Sequence, residues 1–336
     1  MAEITFVDVT VRDGNHTYGH QFTPEIVGAT AAALDRAGVD IIEVGHGDGL
    51  GGSSLHVGRI PVTQRQLLEA ACQATTTSRV AILLIPGFGL FADLEMAAEV
   101  GVTVARIATH CTEADITGQH LLRAKELGMF TVGYLISMGM ATPEQLAEEA
   151  RKMASYGADC INLAESQGHL VPAEVAACIR AVLDAVDIPV GFHAHNNLGL
   201  AIGNILAAVD EGATYIDGSL KGFGGGAGNA QTEVAVTALK RAGHDVRADI
   251  FGIMDAADVF NSQIGPWPMP VIDNDSLLMG YANVYGGYIN PVKNASKQFG
   301  CDPRELVLRL GERKVVAAQE DVVVEEAQRL ARAVTA

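Results

Sequence analysis

Two short clusters of polar residues, far apart in the chain, carry the side chains that could do chemistry. Arg12, Asp13 and His16 follow an apolar run near the N-terminus, and His193 and His195 end another apolar run much later. Carboxylates and imidazoles bind divalent metals, a guanidinium binds anionic oxygens, and an imidazole can act as a general base. The combination suits metal-assisted chemistry on an anionic substrate. The alternatives are a structural Arg–Asp ion pair beside a strand and a histidine pair that only lines a polar rim.

The spacing of the second cluster favours a shared ligand position. Residues two apart in an extended segment point to the same side, so His193 and His195 can present two imidazoles to one point. A carboxylate such as Asp13, facing them, would complete a two-histidine, one-carboxylate set with open coordination positions. Such sets hold ions like Mn²⁺, Fe²⁺, Co²⁺ or Zn²⁺. For the set to form, both apolar runs must end on the same side of one sheet.

A repeated helix-then-strand pattern supplies such a sheet. Helix-ending glycines at Gly38, Gly101, Gly128, Gly157 and Gly212 each precede an apolar, β-like run. Eight strands are predicted, near residues 4–11, 41–44, 80–85, 103–108, 130–136, 160–164, 189–193 and 214–218. Eight such units predict an α/β fold, a (β/α)8 TIM barrel, whose chemistry lies at the C-terminal ends of its strands. An open, doubly wound parallel sheet is the alternative.

The pattern changes after about residue 258. Pro266, Pro268, Pro270 and Pro291 punctuate loops, and helices are then predicted at 303–311 and 320–334. We therefore predict a TIM-barrel catalytic domain at 1–258 and a small C-terminal helical domain at 259–336. An apolar helical appendage of this kind commonly marks an interface with a partner.

Composition excludes several classes of function. The formal net charge is −17 at pH 7, so neither nucleic acid nor an anionic membrane is an expected partner. The five cysteines are scattered and form no CxxC pair, which favours reduced core thiols over a zinc knuckle or disulfide framework. No signal peptide and no run of 18 apolar residues is visible. We expect a soluble, cytoplasmic protein.

Several stretches resemble the metal-dependent lyases and condensing enzymes related to hydroxymethylglutaryl-CoA lyase and isopropylmalate synthase. Within that group the chain is most similar to the 4-hydroxy-2-oxovalerate aldolases of aromatic meta-cleavage pathways. The resemblance spans nearly the whole chain. The shared stretches are Arg12–His16, Glu43–Ser54, Leu83–Gly87, His193–Asn197, Gly222–Ala230 and Gln319–Asp321.

The resemblance implies a role for each candidate residue. Asp13, His193 and His195 would hold Mn²⁺ or a similar ion, such as Co²⁺ or Mg²⁺, that binds a 2-oxo acid. Arg12 would stabilise a pyruvate enolate, and His16 would take the proton of the C4 hydroxyl. Further contacts with the substrate would come from Ser166 at the pyruvate portion, Tyr285 at the hydroxyl side and Leu83 beside the aldehyde pocket.

The implied reaction is retro-aldol cleavage of a 4-hydroxy-2-oxo acid to pyruvate and a short aldehyde. The implied partner is an acylating acetaldehyde dehydrogenase that receives the aldehyde, and we expect an oligomer. Three alternatives stay open: an acyl-CoA condensing enzyme or CoA lyase, a carboxytransferase-like decarboxylase, and a catalytically silent scaffold that binds a partner. No lysine lies at the exits of the first seven strands, but Lys221 follows the eighth strand, so an imine mechanism is not formally excluded.

Overall fold

The eight predicted strands form a closed parallel barrel. The computed structural model describes residues 2–55 and 57–335, and each strand pairs in parallel with the next. Because β1 pairs with both β2 and β8, the sheet closes, which confirms the (β/α)8 barrel and rules out the open sheet. The strands are β1 Glu3–Asp8, β2 Ile41–Glu43, β3 Arg79–Leu84, β4 Val104–His110, β5 Phe130–Ile136, β6 Cys160–Glu165, β7 Val190–Ala194 and β8 Tyr215–Gly218.

Helices alternate with the strands, as the capping signals predict. Thr23 caps α1 by accepting a hydrogen bond from the Ile26 backbone N–H, and Thr142 caps α5 in the same way. Gly38 follows α1 with φ +83°, a left-handed conformation that glycine adopts at little cost. The helices of this part are α1 Pro24–Arg36, α2 Gln64–Ala74, α3 Phe91–Glu99, α4 Gly118–Glu126, α5 Pro143–Ser155, α6 Pro172–Leu183, α7 Ala201–Glu211, α8 Thr232–Arg241 and α9 Ile250–Ile264.

The first strand ends earlier than predicted. β1 stops at Asp8 instead of residue 11, because the chain turns after Val9. The Val9 carbonyl accepts hydrogen bonds from the backbone N–H groups of Arg12 and Asp13. The apolar residues Val9 and Val11 are buried in this turn, so their hydrophobicity alone could not distinguish it from a strand. The turn carries Arg12 and Asp13 at the C-terminal mouth of the barrel.

The barrel interior is layered. Val7, Ile41, Val104 and their neighbours form an apolar cluster toward the N-terminal ends of the strands. A second apolar cluster, of Leu83, Ala108, Tyr134 and Ala164, lies nearer the C-terminal ends. Residues two apart in a strand share a face, so the position after Ile41 on this face is Glu43 and the position after Val104 is Arg106. Charged side chains therefore enter the barrel between apolar layers.

The last third of the described chain has a hydrophobic core of its own, built around Met279, Tyr288, Leu306, Leu310 and Val323. The helices predicted at 303–311 and 320–334 are present. The boundary at residue 258 stays a prediction, and α9 runs through it with Ile253, Phe260 and Ile264 in the barrel core. Met1, His56 and Ala336, which the predicted domains include, lie outside the described residues. The four helices are α10 Asn274–Ala282, α11 Ile289–Phe299, α12 Pro303–Glu312 and α13 Glu320–Thr335.

This helical part lies over the C-terminal mouth of the barrel. Asn283 Nδ2 donates to the Gly139 carbonyl (3.0 Å), and His169 Nδ1 lies 2.7 Å from the Gly280 carbonyl oxygen. These contacts join the end of α10 to the loops after β5 and β6. A ninth short strand, Asp245–Val246, pairs with the start of β1. Within the described ranges no helix has both the length and the hydropathy needed to cross a bilayer.

Candidate active site

Asp13, His193 and His195 come together at the barrel mouth. One ligand atom from each residue lies within 4.8 Å of the other two, and His195 Nε2 is 3.9 Å from Asp13 Oδ2. β7 supplies His193, the residue just beyond β7 is His195, and the turn after β1 supplies Asp13. Parallel topology alone brings these distant segments to one side, as the sequence predicts.

Hydrogen bonds orient both imidazoles toward the shared point. His193 Nδ1 lies 2.9 Å from Asp217 Oδ2, and His195 Nδ1 lies 3.2 Å from the Gly225 carbonyl oxygen. Both neighbours are acceptors, so each Nδ1 carries a hydrogen and each Nε2 is the nitrogen left for a metal ion. Burial lowers the pKa of His195 to about 4, so its ring is neutral at pH 7. Neutral rings with free Nε2 atoms are the form that binds a metal ion.

Asp13 is held as a carboxylate. Its Oδ1 accepts from Arg12 Nη1 and its Oδ2 accepts from Asn229 Nδ2, both at 2.6 Å. Burial alone would raise the pKa of Asp13, but the positive charge of Arg12, aided by His195, brings that pKa well below its usual range. The group is therefore ionised at any physiological pH, as a metal ligand must be.

A chain of buried ion pairs links the anion-binding guanidinium to one of the histidines. Arg12 Nε donates to Glu43 Oε2 (2.5 Å), and Glu43 Oε1 lies 3.1 Å from Arg106 Nη1. Arg106 Nη2 then donates to Asp217 Oδ2 (2.5 Å), the oxygen that faces His193. The Arg106 guanidinium also lies over the Tyr134 ring, 4.6 Å from its centroid. We call Arg12, Glu43, Arg106 and Asp217 the charge network.

The formal charge of this region favours a bound cation, and its donor types suit a divalent one. Arg12 and Arg106 supply two positive charges, while Asp13, Glu43 and Asp217 supply three negative charges. All five side chains are almost completely buried. Burying an unbalanced charge is costly, so a cation bound by Asp13, His193 and His195 would offset the excess negative charge. The residues present therefore fit a divalent metal ion.

Arg12 has one nitrogen to spare. Its Nε binds Glu43, and its Nη1 binds both Asp13 and the Gly47 carbonyl (3.1 Å). The hydrogen bonds found within residues 2–55 and 57–335 leave Nη2 without a protein acceptor. The guanidinium is thus fixed on one side and can donate to a ligand oxygen on the other.

His16 and Tyr285 lie at the same mouth. His16 Nε2 is 4.0 Å from Asp48 Oδ1, and about a quarter of the His16 side chain is exposed. Tyr285 lies on the loop after α10 and is 38% exposed. The residue as a whole is exposed, but burial of its hydroxyl end, with the negative charges of Asp48 and Asp13, raises the pKa of Tyr285 well above its usual range. Its hydroxyl group is therefore protonated and can donate a hydrogen bond.

The two remaining predicted residues occupy different surroundings. Leu83 is buried in the apolar cluster with Ala108 and Tyr134, next to the charge network. The Ser166 hydroxyl accepts a hydrogen bond from the Ser137 backbone N–H (3.0 Å). Ser166 thus stabilises the loop after β5, and its contact with substrate stays a prediction.

Comparison with known families decides the assignment. The family described as HMGL-like matches residues 3–260 of this chain. The chain belongs to the HMGL-like family. A second family, described as a DmpG-like communication domain, matches residues 270–332. The HMGL-like part and the helical part therefore both have known relatives. Membership in the HMGL-like family implies a divalent metal ion, and Asp13, His193 and His195 form a set that fits one.

Individual relatives are similar over almost their full length. The HMGL-like chain is 49% identical to the 4-hydroxy-2-oxovalerate aldolase of Pelotomaculum thermopropionicum, covering 98% of this chain and 97% of the relative. It is 47% identical to the 4-hydroxy-2-oxovalerate aldolase of Carboxydothermus hydrogenoformans, with 98% of each chain covered. The carboxyl transferase domain of Rhizobium etli pyruvate carboxylase shares the fold, with a TM-score of 0.79, 16% identity, and coverage of 98% of this chain and 60% of that one.

Lysine chemistry has little support in this HMGL-like chain. Lys221 follows β8, but its Nζ lies 3.7 Å from Glu233 Oε1 on α8. The residue has φ +57°, a left-handed conformation that is uncommon outside glycine. The ammonium group is therefore engaged with a helix outside the barrel.

The sequence analysis did not identify four residues of the site: Glu43, Arg106, Asp217 and Asn229. Arg106 and Asp217 carried a signal, because each places a charge within an otherwise apolar barrel strand. A charge at such a position must find a partner in the barrel interior. Asn229 carried no comparable signal, since the loop that contains it is defined by its glycines.

Replacing Arg106 with glutamine tests the charge network. Glu43 and Asp217 would lose their shared cation, and His193 would lose the fixed orientation of Asp217. We expect metal affinity to fall about 10- to 100-fold and the Tm of the apoprotein to fall as well. Isothermal titration with Mn²⁺ and thermal unfolding measure the two effects.

Arg79→Gln is the matched control. Arg79 also lies on a barrel strand, and its guanidinium lies over an aromatic ring, 5.1 Å from the Phe130 centroid. Unlike Arg106, however, Arg79 is exposed. This variant should keep wild-type metal affinity. Wild-type affinity in Arg106→Gln would show that the network does not orient His193.

Proposed function

We propose that this chain cleaves 4-hydroxy-2-oxo acids, of the 4-hydroxy-2-oxopentanoate type, to pyruvate and a short aldehyde. The observation that carries the proposal is the Arg12 guanidinium beside a two-histidine, one-carboxylate set. The guanidinium is anchored by Glu43 and Asp13, and its Nη2 has no acceptor among the described residues. Relatives named 4-hydroxy-2-oxovalerate aldolase, at 49% and 47% identity, support the same reaction. The chain is a carbon–carbon lyase, as the resemblance implies.

Asp13, His193 and His195 would hold the ion, which we propose to be Mn²⁺ or a similar divalent ion. When bound, the ion acts as a Lewis acid that polarises the 2-oxo group of the substrate. The three residues leave coordination positions open, because they supply only one carboxylate and two imidazoles. The orientation of both imidazoles by Asp217 and Gly225 fits them for this role.

Arg12 would stabilise the charge that develops as the C3–C4 bond breaks. The bonding electrons pass to the pyruvate fragment and form an enolate, and Nη2 of Arg12 can donate to its oxygen. Because the guanidinium is buried and already fixed, it needs no reorganisation when the charge appears. Protonation at C3 then gives pyruvate.

His16 would accept the proton of the C4 hydroxyl as the aldehyde carbonyl forms. The Tyr285 hydroxyl would orient the same end of the substrate, and the buried side chain of Leu83 would limit the space for the aldehyde. Ser166 would form a hydrogen bond with the pyruvate portion. Proton removal by a positioned imidazole contributes about 10²- to 10⁴-fold to rate.

A coupled assay tests the reaction. Pyruvate release from 4-hydroxy-2-oxopentanoate is followed with lactate dehydrogenase, with EDTA and then with added Mn²⁺. We expect activity that EDTA abolishes and Mn²⁺ restores, and we expect Asp13→Asn to stay inactive after Mn²⁺ addition. Cleavage that proceeds fully in EDTA would contradict the metal requirement.

The alternatives predict other outcomes in parallel assays. An acyl-CoA condensing enzyme or CoA lyase would turn over acyl-CoA and release no pyruvate from the hydroxy-oxo acid. A silent scaffold would do neither. The buried Asp13 and the charge network argue against a silent scaffold, because keeping so many buried charges without use costs stability.

The helical part at 270–332 supports the proposal that the chain binds a partner protein. Its match to a DmpG-like communication domain leads us to propose an acylating acetaldehyde dehydrogenase that takes the aldehyde directly. Mixing the two purified proteins should give a heavier species in analytical ultracentrifugation, and unchanged sedimentation of both would contradict the proposal. Aromatic catabolism, a cytoplasmic location and oligomerisation also stay predictions.

A further inference from the structure

A second group of metal-ligating side chains lies beside the first. His16, His20 and Asp48 each place a ligand atom within 4.8 Å of the other two, and His16 Nε2 is 4.0 Å from Asp48 Oδ1. Two imidazoles and one carboxylate are the same donor types as in the Asp13 set. None of the three belongs to that set or to the charge network.

His20 carries an unsatisfied polar atom. The residue is 8% exposed, and its Nδ1 is buried without a hydrogen-bond partner in the described part of the chain. An unpaired buried nitrogen of this kind is destabilising. The backbone at His20 is also left-handed, with φ +61°, which adds strain at a residue other than glycine. One ring nitrogen of His20 lies within reach of a cation that His16 and Asp48 would bind.

The loop after β2 holds the imidazoles in place. His46 stacks on His20 with ring centroids 3.9 Å apart. Its Nδ1 accepts from the Asp48 backbone N–H, and its Nε2 lies 3.1 Å from the Gly58 carbonyl oxygen. Both nitrogens of His46 are therefore engaged, so His46 supports the cluster without being available as a ligand.

Glycines allow this close packing. A Cβ on Gly47 would lie 2.6 Å from the His16 ring, and a Cβ on Gly58 would lie 2.5 Å from His20 Cδ2. Any side chain at either position would displace an imidazole. The two rings are thus seated against backbone, which limits their freedom before a ligand arrives and lowers the entropic cost of binding.

We propose that His16, His20 and Asp48 bind a second divalent transition-metal ion, separate from the ion held by Asp13, His193 and His195. Imidazole nitrogens favour Zn²⁺ over Mn²⁺, so Zn²⁺ is the probe of choice. Bound there, the ion takes the lone pair of His16 that would otherwise accept the hydroxyl proton. The second ion therefore inhibits cleavage, and this inhibition rests on the proposed function while the binding itself does not.

Equilibrium dialysis of the chelated, full-length chain against Zn²⁺ tests the binding. We expect two Zn²⁺ per chain in the wild type and one in each of His20→Gln, Asp48→Asn and Asp13→Asn. His120→Gln is the matched control, since His120 also has a buried, unpartnered Nδ1 but belongs to neither ligand set; it should keep two. One Zn²⁺ in the wild type, or two in both His20→Gln and Asp48→Asn, would overturn the second site.

Inhibition is measured with Mn²⁺ present and each rate expressed relative to the same variant without Zn²⁺. The Zn²⁺ concentration that halves the rate should rise at least 10-fold in His20→Gln. Unchanged inhibition in a His20→Gln variant that has lost one Zn²⁺ would overturn the inhibitory role alone. A wild type that binds two Zn²⁺ but releases no pyruvate would contradict the proposed reaction and leave the second site standing. Circular dichroism confirms that each variant is folded.

Discussion

Replacing Arg12 with alanine is expected to lower kcat for pyruvate release about a thousandfold while changing KM by only a few-fold. The guanidinium lies against Asp13 and Glu43 and can direct Nη2 at an oxygen that becomes negative only as the C3–C4 bond breaks. An interaction that strengthens in the transition state affects kcat more than substrate binding. Steady-state kinetics with saturating Mn²⁺ measure the split.

Two comparisons keep this result interpretable. Arg12→Lys retains a charge but not the planar fork that reaches Glu43, Asp13 and substrate together, so it should lose at least a hundredfold in kcat. Arg65→Ala removes an arginine from the exposed surface, where its guanidinium pairs with Glu99, and should leave kinetics unchanged. The metal content of each Arg12 variant must match that of the wild type, because Arg12 contacts the metal ligand Asp13 and its loss could also weaken metal binding. A loss confined to KM would remove the enolate role.

Replacing His16 with alanine should greatly slow aldol cleavage and spare a partial reaction. Pyruvate has no C4 hydroxyl, so exchange of its C3 protons with solvent does not need the base that accepts the hydroxyl proton. We expect the cleavage rate to fall about a thousandfold and the exchange rate, followed by NMR in D₂O, to stay within a few-fold of the wild type.

His110→Ala is the matched control for the rim of the barrel. His110 ends β4, and its Nδ1 lies 2.9 Å from the Thr112 hydroxyl oxygen, so its removal should affect neither reaction. If His16→Ala loses cleavage and exchange equally, His16 is not specific to the hydroxyl proton. Such a result would point to a role in enolate formation or in the integrity of the mouth.

Local sequence patterns predict most of the elements of the fold. Threonine caps such as Thr23, helix-ending glycines such as Gly38 and apolar runs of strand length recur along the chain, and each depends on residues only a few positions apart. Parallel topology then requires that all strand ends of one kind meet. That is why Asp13 could be paired with His193 and His195 from the sequence, although the two segments are far apart along the chain.

Where a local pattern is ambiguous, the sequence misleads. Val9 and Val11 are as apolar as strand residues, yet they are buried in a turn that ends β1 at Asp8. Ser166 sits at a strand exit as predicted, yet its hydroxyl accepts from the Ser137 backbone N–H, a contact that only the positions of two loops determine. A buried turn and a buried strand both favour apolar residues, so residue type alone could not distinguish the two.

The sequence by itself determined the alternation of strands and helices, the two polar clusters at strand exits and the similarity to a metal-dependent lyase family. Only the tertiary structure decided how the charges pair. Arg106 meets Asp217 and Glu43 across the barrel interior, and His20 stacks on His46 from another loop. These contacts follow from the register and curvature of the closed sheet, which no single segment of the chain encodes.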